Sequence, residues 1–110
     1  MAPQKFNLDK ISMQLTEAWC PKDIETVNNF VFRVAKFDGE YHWHRHDNED
    51  ELFIVFKGEI KIQTKTRDYT LGQGEGIKIP KGLGHCPVSI EPSIVLMFER
   101  LELKSEGDSS

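Results

Sequence analysis

The sequence is poor in the features that would make its function obvious. It has only two cysteines, Cys20 and Cys86, in 110 residues. They stand too far apart to read as a disulfide framework or as a cysteine-based zinc site. Basic charge is not in excess either. Fourteen Lys and Arg stand against 18 Asp and Glu, a formal charge of -4, which argues against a face built to release counterions from nucleic acid. Long apolar runs are missing. The longest, 52–56 and 94–98, are five residues each, where a membrane span needs about 20. The opening residues, Met-Ala-Pro-Gln-Lys-Phe-Asn, hold no apolar core of a secretion signal, so a cytoplasmic location is expected. A chain this short supports one domain.

What is present is a change of period. Leu8, Ile11 and Leu15 recur at helical spacing, which predicts a short amphipathic helix over residues 7–16 with Asn7 as its cap. Pro21 closes that region, and residues 22–29 read as a polar connection. From Phe30 onward β-branched and aromatic residues dominate. Strands are expected over 30–37, 41–46, 52–57, 59–65, 69–71, 77–79, 86–90 and 93–103, with Asp38-Gly39 read as a hairpin turn. With no helix between them to cross over, the strands should pair antiparallel in a sandwich or barrel. The division is therefore a helix and connection over 1–29, a β-barrel over 30–103, and a frayed polar tail over 104–110. The last strand is apolar on both faces, so one outer sheet face should be covered by the helix, by a second subunit, or by both.

All four histidines lie in the β region: His42, His44, His46 and His85. Alternate residues of a strand share a face, and neighbours about 6.5–7 Å apart can converge on one ion. His42 and His46, about 13 Å apart, cannot both do so. His42-x-His44 leads to Glu49 after four residues, and His44-x-His46 leads to Glu51. The downstream glycine decides: Gly58 follows Glu51 by a strand's length, whereas the matching position after Glu49 is Phe56, inside the strand. His44, His46 and Glu51 are the chosen set. Phe53 and Val55 then face inward as an apolar wall.

In these residues the sequence resembles the cupins. Their first motif stands here as Gly39, four residues, His44-Arg45-His46, four residues, Glu51, six residues, Gly58. The second stands as Gly74, Pro80-Lys81-Gly82, His85 and Ser89. Two positions depart from the family pattern: the first spacer is one residue short, and Ser89 replaces an asparagine. The stretch 39–46, the run 50–55, the leading helix and Trp19-Cys20-Pro21 look like the small single-domain cupins described as mannose-6-phosphate-isomerase-like. The resemblance implies an all-β double-stranded β-helix, a jelly-roll barrel, with His44, His46, Glu51 and His85 holding one divalent transition metal: Fe, Mn, Ni, Zn or Cu. It also implies a homodimer. The expected function is a small metalloenzyme acting on a small organic molecule by Lewis-acid or oxygen activation, in a pocket shaped by Phe53, Val55, Ile60 and Ile62. Its rival is a non-catalytic metal- or ligand-binding module. His42 is either a proton donor behind the ligands or a rim residue of no special role. Cys86 follows His85 and should turn away from the metal to pack. No phosphate clamp is apparent, so the sugar-phosphate label of the subgroup gains no support.

Overall fold

The computed structural model describes residues 1–108. In chain order it contains α1 (Leu8–Met13), β1 (Lys22–Val27), β2 (Phe30–Glu40), β3 (Glu51–Lys57), β4 (Ile60–Thr64), β5 (Asp68–Leu71), β6 (Gly76–Ile79) and β7 (His85–Arg100). Every strand pair is antiparallel, in the order β1-β2-β7-β3-β6, with β4 joining β7 to β5. This is the expected all-β barrel.

The organising strand is β7. Its first half, 85–88, pairs with β4, its second half, 94–99, pairs with β3, and β2 runs along its other edge. The two halves are separated by a bend at Ile90, Glu91 and Pro92: from Gly39 back to Phe37 β2 advances two residues, while β7 advances four, from Ser89 to Ser93. The β3–β4 turn sits over that bend. Gly58 has φ +95°, and a Cβ there would lie 2.8 Å from Ser93 Cβ, so only glycine fits. Ser89 and Ser93 close the joint, with their hydroxyls 2.8 Å apart and Ser93 Oγ donating to the Glu59 carbonyl. The serine at the family's asparagine position thus makes the bonds that hold this corner.

The period-two pattern of β3 and β4 determines which faces turn inward. Phe53 and Val55 meet Ile60 and Ile62 there, with Ala35, Phe37, Leu71, Ile79, Val95 and Met97 completing one buried cluster. On the outer side α1 packs on β2, and Phe6 approaches Phe32 with ring centroids 6.2 Å apart. One outer face is therefore partly covered by the N-terminal segment.

Several local expectations are corrected. The helix is six residues long, 8–13, although Asn7 caps it as read, its side chain accepting from Lys10 N at 2.9 Å. The polar connection is an edge strand, β1, with only Ile24 half-buried. Its main chain supplies the pairing, so the side-chain pattern that announces a buried strand is missing. The hairpin turn lies at Asn28-Asn29, where Asn28 takes φ 55°. Asp38-Gly39 is instead a bulge within β2, with Gly39 at φ 80°. The last two expected strands are one, β7. Residues 41–46 form no strand; His44 and Arg45 carry isolated bridges, that of His44 to His85.

Residues 101–108, expected in part as a frayed tail, fold back across the barrel mouth. Leu103 is buried, Asp108 N donates to the Arg45 carbonyl, and Asp108 Oδ2 accepts from Asp47 N. The same expectation for Ser109 and Ser110 lies outside the described residues.

Candidate metal centre

Three elements bring the candidate ligands together. The extended segment before β3 carries His44 and His46, the first residue of β3 is Glu51, and the first residue of β7 is His85. His44 and His85 exchange both main-chain hydrogen bonds, at 3.0 and 2.9 Å, which brings their imidazoles side by side, tilted by 52° with centroids 4.4 Å apart. Gly82 N donates to the His46 carbonyl at 2.7 Å, tying the second histidine to the turn before β7. All four side chains are buried, and one ligand atom from each lies within 4.8 Å of all the others. Bonds of about 2.0–2.2 Å to a common centre span nearly that distance.

The tautomers are determined by neighbouring carbonyls. His44 Nδ1 donates to the His42 carbonyl at 3.0 Å, and His85 Nδ1 donates to the Leu83 carbonyl at 3.0 Å. Each ring therefore presents Nε2 as a lone-pair donor, the arrangement that orients histidine ligands. Among the described residues, His46 Nδ1 and Nε2, Glu51 Oε1 and His85 Nε2 are buried without a hydrogen-bond partner. Unpaired polar atoms in an interior are costly, and a cation at their centre would satisfy them together. Burial lowers the pKa of His46 and of His85, and takes His44 down to about 4. All three rings are thus neutral at neutral pH, as ligands must be. The donor set fits a divalent transition metal.

Beside the cluster lies a small cavity of about 20 Å³ lined by Trp19, Phe37, Tyr41, Phe53 and Met97, among others, room for about one water. His44 and Glu51 form its polar wall. Of the four expected pocket residues, Phe53 is there. Val55, Ile60 and Ile62 instead sit deeper in the core, each 2 % exposed or less. Trp19, in the connection between α1 and β1, is the main addition. It takes φ 61°, an uncommon conformation for a bulky residue, held by bonds from its N to the Lys36 carbonyl and from Nε1 to the Asp38 carbonyl. Its ring lies 4.4 Å from Phe37 and 4.6 Å from Tyr41 by centroids. Among the described residues, no lysine or arginine lines the cavity.

His42 does not share the inward face of His44 and His46. It is exposed, packs against Tyr41 at a tilt with centroids 3.9 Å apart, and its Nε2 donates to the Glu106 carbonyl at 2.9 Å. Strand parity fails here because 41–46 is not a regular strand. Cys86 is buried, and burial pushes its thiol pKa up, which suits a packing role.

Glu99 was not singled out from the sequence, and with it the site contains a second buried carboxyl. It stands opposite Glu51 in the β3–β7 register, its side chain is fully buried, and Arg33 Nη1 donates to its Oε1 at 2.8 Å. Burial first, then the adjacent Glu51, pushes its pKa up to about 9. The signal was available: Val95, Met97 and Glu99 alternate on one face of the last strand.

Residues 30–99 match the family model for the cupin domain. The chain belongs to the cupin family. It is 35 % identical over 100 residues to the Bacillus subtilis protein YdbB, covering 90 % of this chain and 88 % of that one. Among solved structures, it is similar to a cupin-2 domain containing protein from Shewanella frigidimarina, with TM-score 0.85 and 33 % identity over 86 % of this chain and 93 % of the other. It is also similar to protein NMB1881 from Neisseria meningitidis, with TM-score 0.81 and 26 % identity over 88 % of this chain and 99 % of the other.

Proposed function

We propose that this cupin is a small metalloenzyme that holds one divalent transition metal on His44, His46, Glu51 and His85 and acts on a small, largely apolar organic molecule. One observation carries the reading: buried, unpartnered donor atoms of the cluster converge beside an aromatic cavity. A bound Fe, Mn, Ni, Zn or Cu ion would supply Lewis-acid or oxygen activation. The chain itself orients the imidazoles through the His42 and Leu83 carbonyls. Trp19, Phe37 and Phe53 exclude water and favour an apolar ligand body. Ser105 also lines the cavity, so anything larger than water needs the segment over the mouth to shift.

The small cavity favours a second reading, a non-catalytic metal-binding module. Elemental analysis of untagged protein beside His44→Ala tests both. Near-stoichiometric metal in the wild type and none in the variant is expected. No metal in the wild type, and none taken up on reconstitution, overturns the metal centre. Azide added to the cobalt-loaded protein then separates the two readings: a shifted visible spectrum marks an exchangeable position, and an unmoved one leaves the non-catalytic module.

The proposal includes a homodimer in the cytoplasm. The dimer is supported by the surface aromatic stack of Phe30 on Phe98, centroids 5.4 Å apart and each ring 39 % exposed. The location is supported by two free thiols. Monomeric light scattering across dilution would remove the dimer.

A further inference from the structure

Arg33 on β2, Glu99 on β7 and Glu51 on β3 form a buried chain of ionisable groups that ends at the candidate ligand cluster. The sheet register puts them there: Arg33 lies opposite Met97, so Glu99 is its diagonal neighbour on the same face, and Glu99 lies directly opposite Glu51. Arg33 is itself clamped. Its Nε donates to Asp23 Oδ1 at 2.7 Å, Nη1 to Glu99 Oε1 at 2.8 Å and to the Leu103 carbonyl at 3.2 Å, and Nη2 to the Leu101 carbonyl at 3.3 Å. That leaves Glu99 Oε2 without a nitrogen or hydroxyl donor among the described residues, within hydrogen-bonding reach of the Glu51 carboxyl. On the other side of that link, Glu51 Oε1 lies 3.2 Å from His46 Nε2 and 3.9 Å from His85 Nε2.

We propose that Glu99, held by Arg33, is a positioning residue that sets the rotation of the Glu51 carboxyl and so aims its Oε1 at the metal position. The inference rests on the metal-centre reading above. Glu99 does not itself complete the ligand set, because the convergent group is His44, His46, Glu51 and His85 and Arg33 occupies Oε1.

The test is titration of Co²⁺ into the chelator-stripped full chain, followed by visible absorption, for wild type, Glu99→Gln, Glu99→Leu and Arg33→Lys. Glu99→Gln retains a donor toward Glu51 and an acceptor for Arg33, so it should bind within about threefold of wild type with the same absorption bands. Glu99→Leu should bind roughly 10–100-fold more weakly, with shifted bands. If near-UV circular dichroism shows that Glu99→Leu does not fold, Arg33→Lys carries the test, since loss of the planar fork should shift the bands. Unchanged affinity and bands in Glu99→Leu, or in Arg33→Lys where that variant carries the test, overturn the proposal. So does a Glu99→Gln variant as weak as Glu99→Leu, because the carboxylate charge is then what matters. A wild type that takes up no Co²⁺ overturns the metal centre and this inference together, whereas uptake insensitive to residue 99 overturns only the inference.

Discussion

The two ends of the barrel interior are built on opposite principles. At one end Val55, Ile60, Ile62 and Leu71 form a dry cluster in which apolar atoms meet apolar atoms. At the other, a few residues along the same strands, the interior holds three imidazoles and two carboxyls, several of their atoms unpartnered. Burial stabilises the first end at about 25 cal/mol per Å² of apolar surface. At the second end the same burial is a cost, because neutral and charged polar groups lose water without full replacement. A barrel that concentrates such groups at one mouth has one end that stabilises it and one end that costs stability.

Substitutions at the two ends should separate stability from metal binding. Ile62→Ala opens a cavity in the dry end and should cost about 2–5 kcal/mol in urea unfolding, while folded protein still takes up metal. His85→Ala should abolish metal uptake yet destabilise the metal-free protein less than Ile62→Ala, because it also removes an unpartnered Nε2. If Ile62→Ala also lost the metal, the two ends would not be independent.

Metal removal is the next largest effect. With metal at 1,000 times its Kd, chelation should lower stability by on the order of 4 kcal/mol. His44→Ala melts should be indifferent to chelator. Equal chelator sensitivity in the variant would place the bound ion elsewhere.

The pH profile of the metal-free protein sharpens the comparison further. Burial lowers His44 from 6.5 to about 4, so between those values the unfolded chain binds a proton that the folded chain does not. Stability is therefore full above about 6.5 and falls as pH drops toward 4, with His46 and His85 acting in the same direction. Glu99, raised from 4.5 to about 9, contributes stability that is full below 4.5 and is lost as pH rises toward 9. Thermal melts should show a maximum near neutrality. Glu99→Gln should flatten the alkaline limb, and His44→Ala should weaken the acid one. Melting temperatures level from pH 4 to 9 would contradict the burial of both groups.

The smallest expected effect concerns the segment over the mouth. Gly107 has φ +88°, and a Cβ there would sit 2.6 Å from His44 Cβ. Gly107→Val should cost about 1–3 kcal/mol and speed tryptic cleavage at Lys104, with metal uptake retained. Unchanged cleavage would mean that the segment does not rest on His44.

The candidate ligand cluster was legible because its spacing obeys rules local to the chain: His44-x-His46, then Glu51 at the start of a strand that Gly58 ends. The core was legible in part. Phe53, Val55, Ile60 and Ile62 are all inward, as period two requires, yet only Phe53 reaches the cavity. Parity reports which face a residue is on but not its depth along the barrel. Trp19 was not legible as a cavity wall, because its place depends on a positive φ and on carbonyls of β2 distant in sequence. β1 was missed for a related reason: an exposed edge strand is held by main-chain bonds, which leave little mark on side-chain pattern.

By itself, then, the sequence determined an antiparallel barrel, its inward faces and four convergent candidate ligands, since alternation, turn glycines and short spacings act over a few residues. Only the tertiary structure decided that one long β7 bends to serve both β3 and β4, that Glu99 comes to rest against Glu51 under Arg33, and that residues 101–108 return to cover His44. Each of these depends on strand register between segments far apart in the chain, and register follows from how the whole core packs.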